Sequence, residues 1–416
     1  MAGDVPRDGV IMDTTRSNIS PSTESRFGLP VWVSALLPFV LLAALIAVFF
    51  NTNPLAVFSG ELPPIESLAL ERIELRPGQF VVTVFNSGPE PVAVSQVMVD
   101  DAFWQHLISP SGALPRFGRA TITIPYNWVE SEPHVITVIT ETGATFIGEV
   151  AVAAETPRPD ATQFLAYGLL GIYIGIIPVG LGLLWFPAMR RMGRKGLNFV
   201  LALTVGLLIF LLIDTALEAV EVAGDVAGVF QGLPVAVFAA LIAWLGITAV
   251  SGKQPEAERD SSGGRMRIAA LIALSIGLHN FGEGLVVGAA FALGEAALGS
   301  FLVIGFTLHN VTEGIGIAAP VTKDRPSIKS FIALAALAGL PAVVGAWVGG
   351  FAYSPLLATI FLGVGAGAIW QVIVEVGRLL LRDAERRGES AANWLNVAGL
   401  ALGLAVMYFT AYFVKF

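Results

Sequence analysis

Two hexapeptides hold the residues best suited to chemistry. His279-Asn280-Phe281-Gly282-Glu283-Gly284 and His309-Asn310-Val311-Thr312-Glu313-Gly314 share the pattern H-N-x-x-E-G, 30 residues apart. Residues three and four apart lie on one helical face. Each hexapeptide in a helix therefore presents a histidine, an asparagine and a glutamate side by side. An imidazole nitrogen and a carboxylate oxygen one turn apart can hold one divalent ion. Two such helices packed antiparallel would oppose two His, two Glu and two Asn. The chain has no cysteine, which excludes thiolate sites and disulfides. The ligand set favours zinc and also admits Fe(II), Mn, Co and Cd.

Both hexapeptides fall near the middle of long apolar runs. A charged side chain at the centre of a bilayer costs about 2.5–3.5 kcal/mol on insertion scales, and the usual reason such residues persist is an ion pathway. Interhelical hydrogen bonding is the plainer explanation for a lone polar residue in a membrane helix. It fits a duplicated pattern at matched depth poorly, and two of the four histidines (His106, His134, His279, His309) lie in it. Each motif ends in glycine, and Gly282 adds another. Small residues let a neighbouring backbone approach or let a helix loosen, which offers carbonyl oxygens to an ion.

The elements that position these motifs follow from composition. Hydrophobic residues make up 55% of the 416 and charged residues 13%, against about 25% charged in soluble domains. The exterior must face lipid. Nine stretches are near the length of about 20 apolar residues that a spanning helix needs: 31–50, 163–187, 197–220, 232–251, 268–292, 297–319, 329–351, 356–378 and 392–414. The first is read as a retained membrane anchor, and the other eight as a helix bundle over 161–416. The net charge of −8 argues against a nucleic-acid partner. Lys and Arg gather in alternate loops, around Arg190–Lys195, Lys253–Arg267, Lys323–Lys329 and Arg378–Arg387. By the positive-inside rule the N-terminus is cytoplasmic and the C-terminus extracytoplasmic.

Residues 1–30 are polar and read as a disordered cytoplasmic tail. Between anchor and bundle, 51–160 alternates apolar and polar residues in short runs such as Phe80–Phe85, Ala120–Ile124 and His134–Thr140, separated by turn formers. That pattern predicts a small all-β, sandwich-like extracytoplasmic domain, with 156–160 as the linker onward. Asp100, Asp101 and His106 cluster loosely in it while His134 stands apart. Trp104 and Trp128 are read as core or interface residues. The domain is a structural cap or binds an unknown partner.

Four further residues are candidates for a pathway. Asp214 and Glu218, followed by Glu221, recur at i, i+4 and i+7 near one end of the third span, as an acidic entrance or a solvated helix end. Gln371 and Glu375 lie one turn apart in the eighth. Glu375 also has Arg378 and Arg382 as potential salt-bridge partners.

The doubled H-N-x-x-E-G resembles the signature of the fourth and fifth helices of ZIP (ZRT/IRT-like) divalent metal transporters, and the likeness extends over 161–416. Ala366–Glu375 resembles that family's seventh helix, and Asp214–Glu218 the acidic end of its second. The resemblance implies His279, Glu283, His309 and Glu313 as primary metal ligands, with Asn280 and Asn310 secondary. It implies inward transport by alternating access, in which a helix group holding the site moves against the other, and a homodimer in the plasma membrane. Gly282 and Thr312 stand where the family often has proline. The run Ala338–Val343 lacks the acid of a sixth-helix motif, so one well-defined metal with at most a weak second is expected. The chain is thus read as a metal permease and not an enzyme. The rivals are an intramembrane metal-dependent hydrolase and a metal sensor.

Overall fold

The computed structural model describes residues 30–52, 65–251 and 261–414. The expected tail, up to residue 29, lies outside the described residues. Helix α1, Val31–Thr52, forms a unit of its own. Its apolar segment Ala35–Phe49 is shorter than the eight helices that are long and apolar enough to cross a membrane.

The β region comprises two antiparallel sheets. β1 (Leu68–Arg76), β2 (Gln79–Asn86), β6 (Arg119–Pro125) and β5 (Leu107–Ser109) make one, in the order β1-β2-β6-β5. β4 (Ala102–Trp104), β3 (Val94–Val99), β7 (His134–Thr140) and β8 (Thr145–Val150) make the other, in the order β4-β3-β7-β8. Alternate residues of a strand face one side. Phe80, Val82, Val84, Ile122 and Ile124 therefore bury against Val97, Val99, Ile136 and Val138 of the second sheet, in one core. The alternating runs in the sequence correspond to β2, β6 and β7. The linker is stitched back onto β1: Thr156 Oγ1 accepts from Leu75 N at 2.9 Å and Thr156 N donates to Leu75 O at 3.0 Å.

The first bundle helix is interrupted. It runs as α2 (Ala161–Gly171), a π-helical turn (Ile172–Ile176), α3 (Ile177–Leu183) and α4 (Phe186–Arg191). Asp160 caps it, accepting from Gln163 N at 2.8 Å. Pro178 has no N–H, so the Ile174 carbonyl one turn earlier loses its α-helical i+4 donor. The remaining helices are α5 (Arg194–Gly224), α6 (Gly232–Ser251), α7 (Ser262–Ala292), α8 (Ala296–Ala318), α9 (Ile328–Ala352), α10 (Pro355–Glu385) and α11 (Trp394–Val414). Two exceed the expected spans by six or more residues at one end. α7 begins at Ser262, where Ser261 caps Gly264 N at 3.0 Å, rather than at 268, and α10 continues past 378 to Glu385. Hydropathy marks only the lipid-facing length, whereas these ends carry on as charged turns.

Close glycine packing sorts the bundle into two sets. Gly182 of α3 and Gly314 of α8 meet so tightly that a Cβ on Gly314 would lie 2.9 Å from Gly182 Cα. Gly345 and Gly349 of α9 press on the backbone of α7. In the second set, α5 meets α11 at Gly206 and Gly403, and α6 meets α10 at Gly363 and Gly367. Among the described residues, no glycine position makes a backbone contact under 3.0 Å between α2–α3–α7–α8–α9 and α5–α6–α10–α11. The contacts across that divide are looser, as where a Cβ at Gly316 would meet the Thr204 side chain.

The β region touches one end of the bundle. Arg72 Nη1 donates to Phe351 O at 3.2 Å, and Phe85 stacks on Phe230 with centroids 5.6 Å apart.

Candidate metal centre

α7 and α8 carry one hexapeptide each, and the helical spacing brings three of the expected ligands together. His279, Glu283 and His309 are buried, and each places one ligand atom within 4.8 Å of the others. Glu283 Oε1 is 3.1 Å from His279 Nε2 and is also hydrogen-bonded to His309 Nε2. Two ligands about 2.0–2.1 Å from a tetrahedral zinc stand about 3.3 Å apart, close to that 3.1 Å spacing. The fourth expected ligand, Glu313, is buried on the same helix as His309 but lies outside the triad, and both its oxygens lack a hydrogen-bond partner among the described residues. The symmetric two-His, two-Glu cluster is thus replaced by a triad with a carboxylate beside it.

The asparagines show how the helices hold the site. Asn280 Nδ2 donates to Ala338 O of α9 at 3.1 Å. Asn310 Nδ2 donates to Ile174 O at 2.9 Å, the carbonyl that Pro178 frees, and to Glu283 Oε2 at 2.9 Å. A carbonyl only accepts, so the amide nitrogens face the neighbouring helices. The Oδ1 atoms of both asparagines remain buried without a partner. Interhelical hydrogen bonding thus explains half of each amide. It leaves four buried acceptors, two amide and two carboxylate oxygens, without a hydrogen bond, whereas folded proteins pair most buried polar groups. Acceptors without donors beside two imidazoles form a donor set that fits a divalent cation. Of the two roles expected of the motif glycines, close approach is the one found: Gly284 packs on the α9 backbone and Gly314 on α3, while α7 and α8 run unbroken through both hexapeptides. The loosened helix is α2–α3, where proline forces it.

The pathway candidates divide by location. Glu218 of α5 lies close enough to His279 and Glu283 to act on their charges, and Asp214 likewise to His309, though neither belongs to the triad. Glu221 is exposed. At the same end, burial pushes the Tyr353 phenol up to about 12, with Asp225, Glu218 and Glu295 adding to the shift, so these acids share one neighbourhood. Gln371 and Glu375 are buried on α10. Gln371 Oε1 accepts from Thr248 at 2.8 Å. Arg378 Nη1 forms the ion pair with Glu375 Oε2 that the sequence suggested, at 3.7 Å and without a hydrogen bond.

Sequence reasoning missed Ser275. It precedes His279 by one turn on the same buried face and, with Gln371 and Glu375, lines a cavity of about 10 Å³, the scale of one water. Helix hydroxyls commonly bond back to a preceding carbonyl, as Thr204 and Thr307 do, whereas Ser275 Oγ has no partner among the described residues. The i, i+4, i+8 series Ser275, His279, Glu283 was the available signal.

The β region differs from expectation at one place. Asp100 pairs with His134 at 2.7 Å, not with His106, and also accepts from Val135 N at 2.9 Å and Tyr126 Oη at 3.1 Å. Burial pushes the Asp100 carboxyl up, but these three bonds outweigh it and hold it below the usual carboxylate range. Asp100 and Asp101 have φ of 51° and 64°, a left-handed turn that Asp tolerates and that lets β4 fold back on β3. Trp128 is half-buried, donating to Arg76 O at 2.7 Å, while Trp104 is exposed.

No protein-family model matches this chain, and no curated protein matches it.

Proposed function

We propose that the chain carries divalent transition-metal ions, zinc foremost, across a membrane in the manner of the ZIP-like transporters its hexapeptides resemble. One observation carries the reading: His279, Glu283 and His309 converge, buried, from two helices of membrane length, and the same two hexapeptides hold four further buried oxygens without a close hydrogen bond. A site that releases its cargo must bind it less tightly than a closed thiolate site, and mixed imidazole, amide and carboxylate ligands suit that.

The two helix sets support alternating access. His279, Glu283, His309 and Glu313 all belong to the set knit by Gly182, Gly314, Gly345 and Gly349. Asp214, Glu218, Gln371 and Glu375 belong to the other. Sliding or rocking of one set on the other would pass the ion from the acidic end, at Asp214 and Glu218, toward Gln371 and Glu375. On this reading the basic loops are cytoplasmic, the β region is extracytoplasmic, flux is inward across the plasma membrane, and the working unit is a homodimer.

Uptake of labelled zinc into sealed proteoliposomes tests it. Saturable uptake that is lost in Glu283→Ala and His309→Ala is expected. Folded protein that binds zinc at these residues yet moves neither zinc, iron nor manganese would end the transport reading in favour of a sensor or a hydrolase.

A further inference from the structure

At the end of the bundle away from the β region, four segments enclose a cavity of about 310 Å³. They are the first turns of α5 and α7, the turn Ala319–Val321 with the residues after it, and the last turns of α10. Its size is at the lower end of small-ligand pockets. Arg265, Lys323, Arg382 and Arg386 line it with a single carboxylate, Asp383. That carboxylate is bracketed from outside the wall by Arg194, whose Nε is 3.0 Å away, and Arg387, at 2.5 Å. Arg265 is fixed by Asp324 at 2.8 Å, which holds its guanidinium at the cavity wall. The floor is apolar, made by Leu197, Leu201, Ile268 and Leu379.

We propose that this cavity binds an anionic phosphate group, either the headgroup of an acidic lipid or a free phosphate. Counted with the groups paired to it, the lining carries six cations (Arg194, Arg265, Lys323, Arg382, Arg386 and Arg387) to two carboxylates (Asp324 and Asp383), and arginine matches phosphate geometry with paired N–H donors. Basic pockets between membrane helices at their ends have the form that receives acidic headgroups. The apolar floor can take the first carbons of a lipid chain. The wall draws α7 and Lys323 from one helix set and α5 and α10 from the other, so a bound phosphate would bridge the two. The inference stands on this cavity alone and does not depend on the metal reading.

The test compares purified full-length wild type with the double variant Lys323→Gln/Arg386→Gln. Both residues are exposed, and Arg265 and Asp383 stay in place. Lys323→Gln alone serves as the milder variant should the double one fold poorly. Native mass spectrometry reads retention of phosphatidylglycerol against phosphatidylcholine. Thermal melts read protection by sodium phosphate against sodium chloride at equal ionic strength. Loss of two basic contacts is expected to weaken the anion by about 10-fold to 30-fold. Preferential, variant-sensitive retention of phosphatidylglycerol with no phosphate protection assigns the site to a lipid headgroup. Variant-sensitive protection by phosphate assigns it to a free phosphate. If neither probe separates the wild type from Lys323→Gln or from the double variant, the proposal is overturned and the charges serve only as a basic rim.

Discussion

His309 on α8 is hydrogen-bonded to Glu283 on α7, joining the two hexapeptides at mid-depth, and the same glutamate oxygen meets His279 at 3.1 Å. The two motifs are therefore one site and not two.

Glu283→Ala should consequently disable both halves. Zinc uptake in proteoliposomes is expected to fall by more than the roughly 10–100-fold that follows loss of a supporting hydrogen bond to a metal ligand. Residual uptake above a tenth of wild type would place the cargo site elsewhere.

Asn310 and Pro178 are coupled through the Ile174 carbonyl. Asn310→Leu removes the donor and should destabilise the protein by about 0.6–2 kcal/mol, the range for interhelical hydrogen bonds in membranes. Pro178→Ala supplies a helical N–H in its place. In that background the cost of Asn310→Leu should shrink, which a double-variant cycle of detergent melts can measure. Equal costs in both backgrounds would mean that the carbonyl is not what the asparagine serves.

Gly314→Val should fail where Gly246→Ala succeeds. A side chain at 314 enters the backbone of α3, at an overpacking cost of about 1–3 kcal/mol or more. Gly246, inside α6, has nothing within 4 Å of a Cβ, so alanine there should gain roughly 0.5–1 kcal/mol. Melting temperatures moving in the same direction for both would contradict the close contact.

The ion pair Arg265–Asp324 sets a pH dependence. Its hydrogen bond from Arg265 holds the Asp324 carboxyl below the ordinary carboxylate range. A depressed acid contributes stability above its unfolded value, roughly pH 4, and loses it as pH falls through the folded value. The melting difference between wild type and Asp324→Asn should stay level from pH 8 to about 5 and shrink below about 4. A difference that grows on acidification would reverse the sign.

Much of this was legible in the chain. The period-two runs at Phe80–Phe85 and His134–Thr140 fix which side chains face inward, so both strands follow from the pattern. The His, Asn and Glu spacing likewise places the ligands on shared faces. Partner choice across space was not legible. His134 meets Asp100 because β3 and β7 pair in a register the local sequence does not state. Glu313 falls outside the triad, which the matching spacing of the two hexapeptides did not foretell. The roles of Ile174 and Ala338 were hidden for another reason: a carbonyl has no letter in the sequence, and only Pro178, four residues after Ile174, hints at the first of them.

The carbonyl at Ile174 also bears on how the protein is made. Its donor, Asn310, is 136 residues downstream. At a synthesis rate of about 5–20 residues per second, the first bundle helix waits roughly 7–27 s in the bilayer before that donor is even polymerised. Through that interval the Ile174 carbonyl lacks the asparagine donor it has in the folded protein, and water or a lipid headgroup can serve in its place. One peptide oxygen thus ties the first bundle helix to a side chain made much later, and that contact completes only when the centre of the chain arrives.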